Sequence, residues 1–77
     1  MLDEIEKSLL ILIKSIRAET EYSASLSLVK DLNLDSLDVI GFLFEVEKEF
    51  DIKISDEDID TYELLIIGNL YNYIKNL

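Results

Sequence analysis

Apolar residues recur at spacings of three and four over the start of the chain: Leu2, Ile5, Leu9, Leu12, Ile13 and Ile16. That period predicts an amphipathic helix over 3–17 with one face in the core. Acids lead it (Asp3, Glu4, Glu6) and bases close it (Lys14, Arg17), which suits the helix dipole. The period then stops. Residues 18–35 carry Thr20, Ser23, Ser25, Ser27, Asn33 and Asp35 and read as a long loop. Leu26, Leu28, Val29, Leu32 and Leu34 are expected to dip from it into the core. Loops of this length are uncommon in small domains and are often functional.

A second helix is expected from Asp35 or Ser36, both good N-cap types, to Phe50. Asp35 and Asp38 have the spacing of a capping box. At 100° per residue, Val39, Phe42, Leu43, Val46 and Phe50 fall on one face, and Leu37, Ile40 and Phe44 on the opposite one. Either this helix is buried all round or it turns an apolar strip outward for a partner. Gly41 lies in its middle, at a cost of up to about 1 kcal/mol against Ala, with or without a packing reason. Ser55 is placed to cap a short third helix with Asp58 at its third position. Leu64, Ile67, Leu70, Tyr71, Ile74 and Leu77 predict a fourth amphipathic helix over 62–77, weakened by Gly68. The β-branched residues near 64–67 would permit a strand, but a lone strand has nothing to pair with. The predicted fold is therefore all-α: a small four-helix bundle with a long first loop and a short third helix.

Composition narrows the chemistry. The 77 residues, 49% of them hydrophobic, suffice for one small domain over 1–77. At this size about 60–65% of the unfolded chain's surface is buried, so stability is modest. No Cys is present, which excludes disulfides, thiolate nucleophiles and Cys-ligated metals. No His is present, which removes the usual general base and excludes Ser-His-Asp and zincin sites. The longest apolar run near the start, Leu9–Ile13, is far short of the roughly 20 residues of a membrane span. Asp3, Glu4 and Glu6 stand where a signal peptide would be basic. A cytoplasmic monomer is expected.

The charge is localised. Twelve acids and only Lys48 and Lys53 lie in residues 31–63, a net of −10, while the rest of the chain balances five acids against five bases. Such a domain repels nucleic acid and seeks basic protein surfaces.

Within the acidic segment, Asp35-Ser36-Leu37-Asp38 stands at the junction of long loop and helix. A serine at a helix start is usually a cap. This one has acids on both sides and no neighbouring base, so any chemistry at its hydroxyl needs activation by another enzyme. Modification of Ser36 is the natural expectation. Asp56, Asp58 and Asp60 imitate the opening of a calcium loop, but Thr61 and Ile67 stand where Gly and Glu are required. Asp31, Asn33 and Asp35 fail likewise, with Ser36 and Phe42 in those places. Composition alone does not exclude a paired-carboxylate hydrolase, although nothing marks one pair among seventeen acids.

Asp31-Leu32-Asn33-Leu34-Asp35-Ser36-Leu37-Asp38, followed by Glu45-Val46-Glu47-Lys48-Glu49-Phe50 and Ile54-Ser55-Asp56-Glu57, resembles the acyl carrier protein family over essentially the whole chain. The resemblance implies a 4′-phosphopantetheine arm on Ser36, within the motif Asp35, Ser36, Leu37, Asp38. A phosphopantetheinyl transferase installs the arm from coenzyme A with Mg²⁺, and its terminal thiol holds acyl groups as thioesters. The chain itself would be no enzyme. Partners would be synthases and transferases with basic patches, in fatty acid or related lipid and polyketide biosynthesis. By the same resemblance, Asp35, Leu37, Asp38, Ile40, Phe44, Glu47 and Lys48 fall at docking positions, and Leu43, Val46, Ile54 and Leu65 line a shelter for the acyl chain. Gly41 replaces a usual Glu and Phe44 a frequent Met. Asp58–Glu63 is similar to specialised carriers of D-alanyl or polyketide type. The alternatives are a carrier of aminoacyl or peptide intermediates and an unmodified acidic helical adaptor.

Overall fold

Four helices follow one another in the computed structural model, which describes residues 1–77: α1 (Glu4–Lys14), α2 (Ser36–Phe50), α3 (Asp56–Thr61) and α4 (Ile67–Lys75). The first three start on side-chain caps. At α1 the capping box is complete: Glu6 N–H donates to Asp3 Oδ1 and Asp3 N–H to Glu6 Oε1, both at 2.9 Å. At α2, Asp35 accepts from Asp38 N–H at 2.9 Å; at α3, Ser55 accepts from Asp58 N–H at 3.1 Å. Such caps contribute about 1 kcal/mol each. α1 is shorter than its period predicts. Regular helix ends at Lys14, and Ile16 and Arg17 continue as a turn whose N–H groups both donate to the Ile13 carbonyl.

The core lies where α1 packs on α2 and α4. Leu9 and Ile13 meet Phe42, Leu43 and Val46 of α2 and Ile67, Leu70 and Ile74 of α4, all buried. Residues outside the helices complete it: Leu28 and Leu34 from the first loop and Leu64 from the turn before α4. α3 adds no fully buried side chain; its Ile59 packs against the edge.

The first loop is fixed by hydrogen bonds along its length. Arg17 Nε donates to the Leu32 carbonyl at 3.1 Å, joining the two ends. Ser27 N–H donates to Asp31 Oδ2 at 2.7 Å, and Lys30 N–H to Ser27 Oγ at 3.0 Å. Leu28 and Leu34 enter the core as expected, and Leu26 and Leu32 pack against it. Val29 does not; it stays exposed.

The fourth helix begins at Ile67, not at Tyr62. Tyr62 ends α3, and Glu63 takes a left-handed conformation (φ 50°) that reverses the chain. Leu64 reaches the core from this turn, so its place in the helical period was coincidental. Ile66 forms an isolated antiparallel bridge with Ser27. Leu28 N–H donates to the Leu65 carbonyl and Ile67 N–H to the Leu26 carbonyl, both at 2.9 Å. The extended segment expected to lack a partner therefore finds one in the loop. This bridge also takes the place of a cap: α4 has no capping side chain, and the loop carbonyls of Leu26 and Ala24 receive its first two N–H groups. Gly68 is what allows it. A Cβ there would stand 2.5 Å from the Ala24 carbonyl oxygen. Leu77 lies beyond the helix end and is exposed, contrary to its place in the period.

Candidate functional site

The start of α2 settles which residue is the cap. Asp35 has extended backbone (φ −85°, ψ −179°), and its carboxylate receives the Asp38 N–H. Ser36 is the first helical residue and is exposed. Its hydroxyl is therefore spared the commonest duty of a serine at a helix start. Just before it, Asn33 adopts the left-handed conformation (φ 54°), which Asn tolerates better than most residues. Leu34 N–H then donates to the Leu28 carbonyl at 3.1 Å, anchoring the approach to the junction.

Ser36 borders an apolar groove of about 440 Å³ lined by Val29, Leu34, Val39, Ile40 and Leu65. Its walls come from loop, helix and the turn before α4, and the bridge at Ser27 and Ile66 holds loop and turn together. Leu65 belongs to the expected acyl shelter. Val29 was missed: the sequence placed it in the core, and no local signal sets it beside Ser36. A second, smaller cleft of about 100 Å³ runs between α2 and α3, with Leu43, Ile54 and Ile59 among its walls. Val46 is wholly buried and lines neither.

The rest of α2 divides by angle. Leu37, Gly41, Phe44 and Lys48 follow the outward line, at spacings of four, three and four. Asp38 and Glu45 lie on its α1 side, and Ile40 and Glu47 on its α3 side. Leu37, Ile40 and Phe44 are 79%, 51% and 61% exposed, so of the two arrangements open to this helix the outward apolar strip is the one adopted. Lys48 stands 3.7 Å from Glu45 in a solvent-exposed pair that adds little stability. Glu47 is engaged within the fold: its Oε2 accepts the Ile54 N–H at 2.7 Å and holds the turn between α2 and α3. Asp35, Ser36, Leu37, Asp38 and Ile40 thus share the first turns of one exposed surface, with Phe44 and Lys48 further along it and Glu47 at its edge.

The acidic residues of α3 are not a coordinating loop. Asp56, Asp58 and Asp60 are helical, and the Asp58 carboxylate receives the Tyr73 hydroxyl at 2.6 Å. That bond, with some burial and the Asp58 charge, pushes the Tyr73 phenol up to about 12.

A family model described as a phosphopantetheine attachment site matches residues 9–74. The chain belongs to this family. It is a carrier protein of the acyl carrier protein type, and membership implies a covalently attached 4′-phosphopantetheine group and dealings with a phosphopantetheinyl transferase and with synthases or transferases. The residues present fit the group: an exposed hydroxyl released from capping, at a helix N-terminus that favours phosphate, beside an apolar groove. No helix is long and apolar enough to cross a membrane.

Proposed function

We propose that Ser36 is the attachment residue and that residues 1–77 act as one carrier domain in fatty acid or related lipid and polyketide biosynthesis. The observation that carries this reading is the division of labour at the start of α2. Asp35 caps the helix and leaves Ser36 exposed with its hydroxyl uncommitted. When attached, the group supplies a terminal thiol that holds an acyl chain as a thioester. The chain's own residues do the rest. The helix N-terminus positions the Ser36 hydroxyl and favours the phosphodiester formed there. The groove lined by Val29, Leu34, Val39, Ile40 and Leu65 offers the arm or an apolar cargo a place out of water.

Docking falls to the outward surface of α2. Leu37, Ile40 and Phe44 supply apolar area, while Asp35 and Asp38 supply charge near the arm. Glu47 contributes less than its position in the sequence implies, because its carboxylate already serves Ile54. Encounter is fast, weak and salt-sensitive, as attraction between an acidic face and basic patches requires. Tethering then converts each visit into a reaction at high effective concentration.

The test is intact-mass spectrometry after incubation with coenzyme A, Mg²⁺ and a broad-specificity phosphopantetheinyl transferase. Wild type gains one phosphopantetheine, and Ser36→Ala gains none. Ser55→Ala, which loses only a cap, still loads. Loading that survives in Ser36→Ala overturns Ser36 as the attachment residue, whereas a folded wild type that does not load overturns the carrier assignment and favours the unmodified adaptor.

A further inference from the structure

Gly41 interrupts the outward line of α2 between Leu37 and Phe44. It is exposed, and a Cβ built on it would meet no atom within 4 Å. Nothing inside the molecule requires glycine here, yet a glycine in a helix interior is less favourable than alanine. A groove of about 300 Å³ between α1 and α2 opens at this gap. Leu12 and Phe42 form its apolar floor with Leu37 beside them. Asp38 and Glu45, one turn before and one turn after Gly41, supply its charge. Of these two carboxylates Glu45 alone forms an ion pair, an exposed one with Lys48 at 3.7 Å.

We propose that this groove receives an arginine side chain of a partner enzyme, and that Gly41 is the specificity-determining residue that admits it. The aliphatic stem lies over Leu12, Leu37 and Phe42, and the guanidinium sits between Asp38 and Glu45. The chemistry selects the occupant. Its floor calls for methylenes, its two carboxylates call for a cation, and guanidinium sheds water more readily than ammonium. A side chain at Gly41 would stand in the entrance. The proposal rests on the carrier reading for its partner, and it deepens that reading from a charged face to one shaped contact.

The probe is n-butylguanidinium, titrated into the ¹⁵N-labelled apo chain and followed by amide chemical shifts, with guanidinium alone for comparison. Saturable shifts are expected at Leu12, Leu37, Gly41 and Glu45, with a Kd on the order of millimolar. Guanidinium alone binds more weakly because it lacks the stem. Asp58 and Asp60, acidic residues of α3 that do not line the small cleft between α2 and α3, stay unmoved. Gly41→Phe, at a position with open space, folds and binds the probe roughly tenfold more weakly or worse. Asp38→Asn combined with Glu45→Gln also loses roughly tenfold, as expected for a hydrogen bond to a charged group. Equal shifts at both acidic segments, or a Gly41→Phe protein that binds like wild type, overturn the proposal. The loading assay on wild type separates the two readings. Loading without saturable shifts overturns the groove alone, whereas saturable shifts without loading support the groove and overturn the carrier.

Discussion

The two glycines of this chain stand in two helices for opposite reasons. In α4, Gly68 lets the helix start pass so close to the first loop that a Cβ would lie 2.5 Å from a backbone oxygen, and its own N–H donates to that oxygen at 2.8 Å. In α2, Gly41 faces open space. The helices differ in the same way. α4 spends its apolar positions inward, with Ile67, Leu70 and Ile74 buried. α2 buries Phe42, Leu43 and Val46 and still leaves Leu37, Ile40 and Phe44 outside. An apolar side chain left in water adds little to the stability of the fold, which leaves the second set free for the docking role proposed above.

The sharpest test sets Phe42 against Phe44, two positions apart in α2. Phe42→Ala should cost about 3–5 kcal/mol in urea unfolding, because Phe42 is only 1% exposed and its cavity cannot fill. Phe44→Ala should stay within about 0.5 kcal/mol of wild type while lowering turnover by partner enzymes. A large loss of stability in Phe44→Ala would mean that the outward strip is part of the core after all.

The glycine pair gives effects of opposite sign. Gly68→Ala should destabilise by about 1–3 kcal/mol, because its close neighbour is backbone and cannot yield as a flexible side chain can. Gly41→Ala should stabilise by up to about 1 kcal/mol through helix propensity. Two losses of similar size would refute the contrast.

Glu47→Gln should lower stability by about 1 kcal/mol by weakening the bond to Ile54 N–H. Asp38, whose carboxylate accepts no bond within the fold, should show almost none of this on conversion to Asn. For partner turnover the order reverses, with Asp38→Lys weakening it more than Glu47→Lys. Equal effects would remove the distinction between the two sides of the face.

The smallest expected effect lies at alkaline pH. Tyr73 titrates at about 12 in the folded chain against an ordinary value of 10. The folded state thus holds its proton more tightly, and the stability this contributes is complete below pH 10 and lost as pH rises toward 12. Tyr73→Phe should flatten that part of the stability profile. Tyr22, pushed up to about 12 by burial and by the nearby Glu6 and Asp3 carboxylates, adds to the same limb and should preserve some slope in the variant.

Much of this was legible because it depends on local period and local chemistry. The two faces of α2 follow from 100° per residue, and a cap at Asp35 or Ser36, resolved as Asp35 in the structure, and one at Ser55 follow from side chains that reach their own backbone. Charge confined to residues 31–63 is a count. The start of α4 was misplaced because Leu64 keeps the helical period while Glu63 breaks the helix, and the left-handed turn of a glutamate carries no composition signal. Val29 was misplaced because a loop residue's direction depends on what the loop packs against.

By itself the sequence determined the all-α class, the acidic face and Asp35-Ser36-Leu37-Asp38 as the place to look, since each rests on contacts within a few residues. Tertiary structure alone decided the rest. It joined Ser27 to Ile66, brought Val29 and Leu65 to the groove beside Ser36, and left space over Gly41 while closing it over Gly68. Each of these sets atoms distant in sequence at van der Waals or hydrogen-bonding range, or keeps them apart, and only the packing of α1, α2 and α4 fixes those distances.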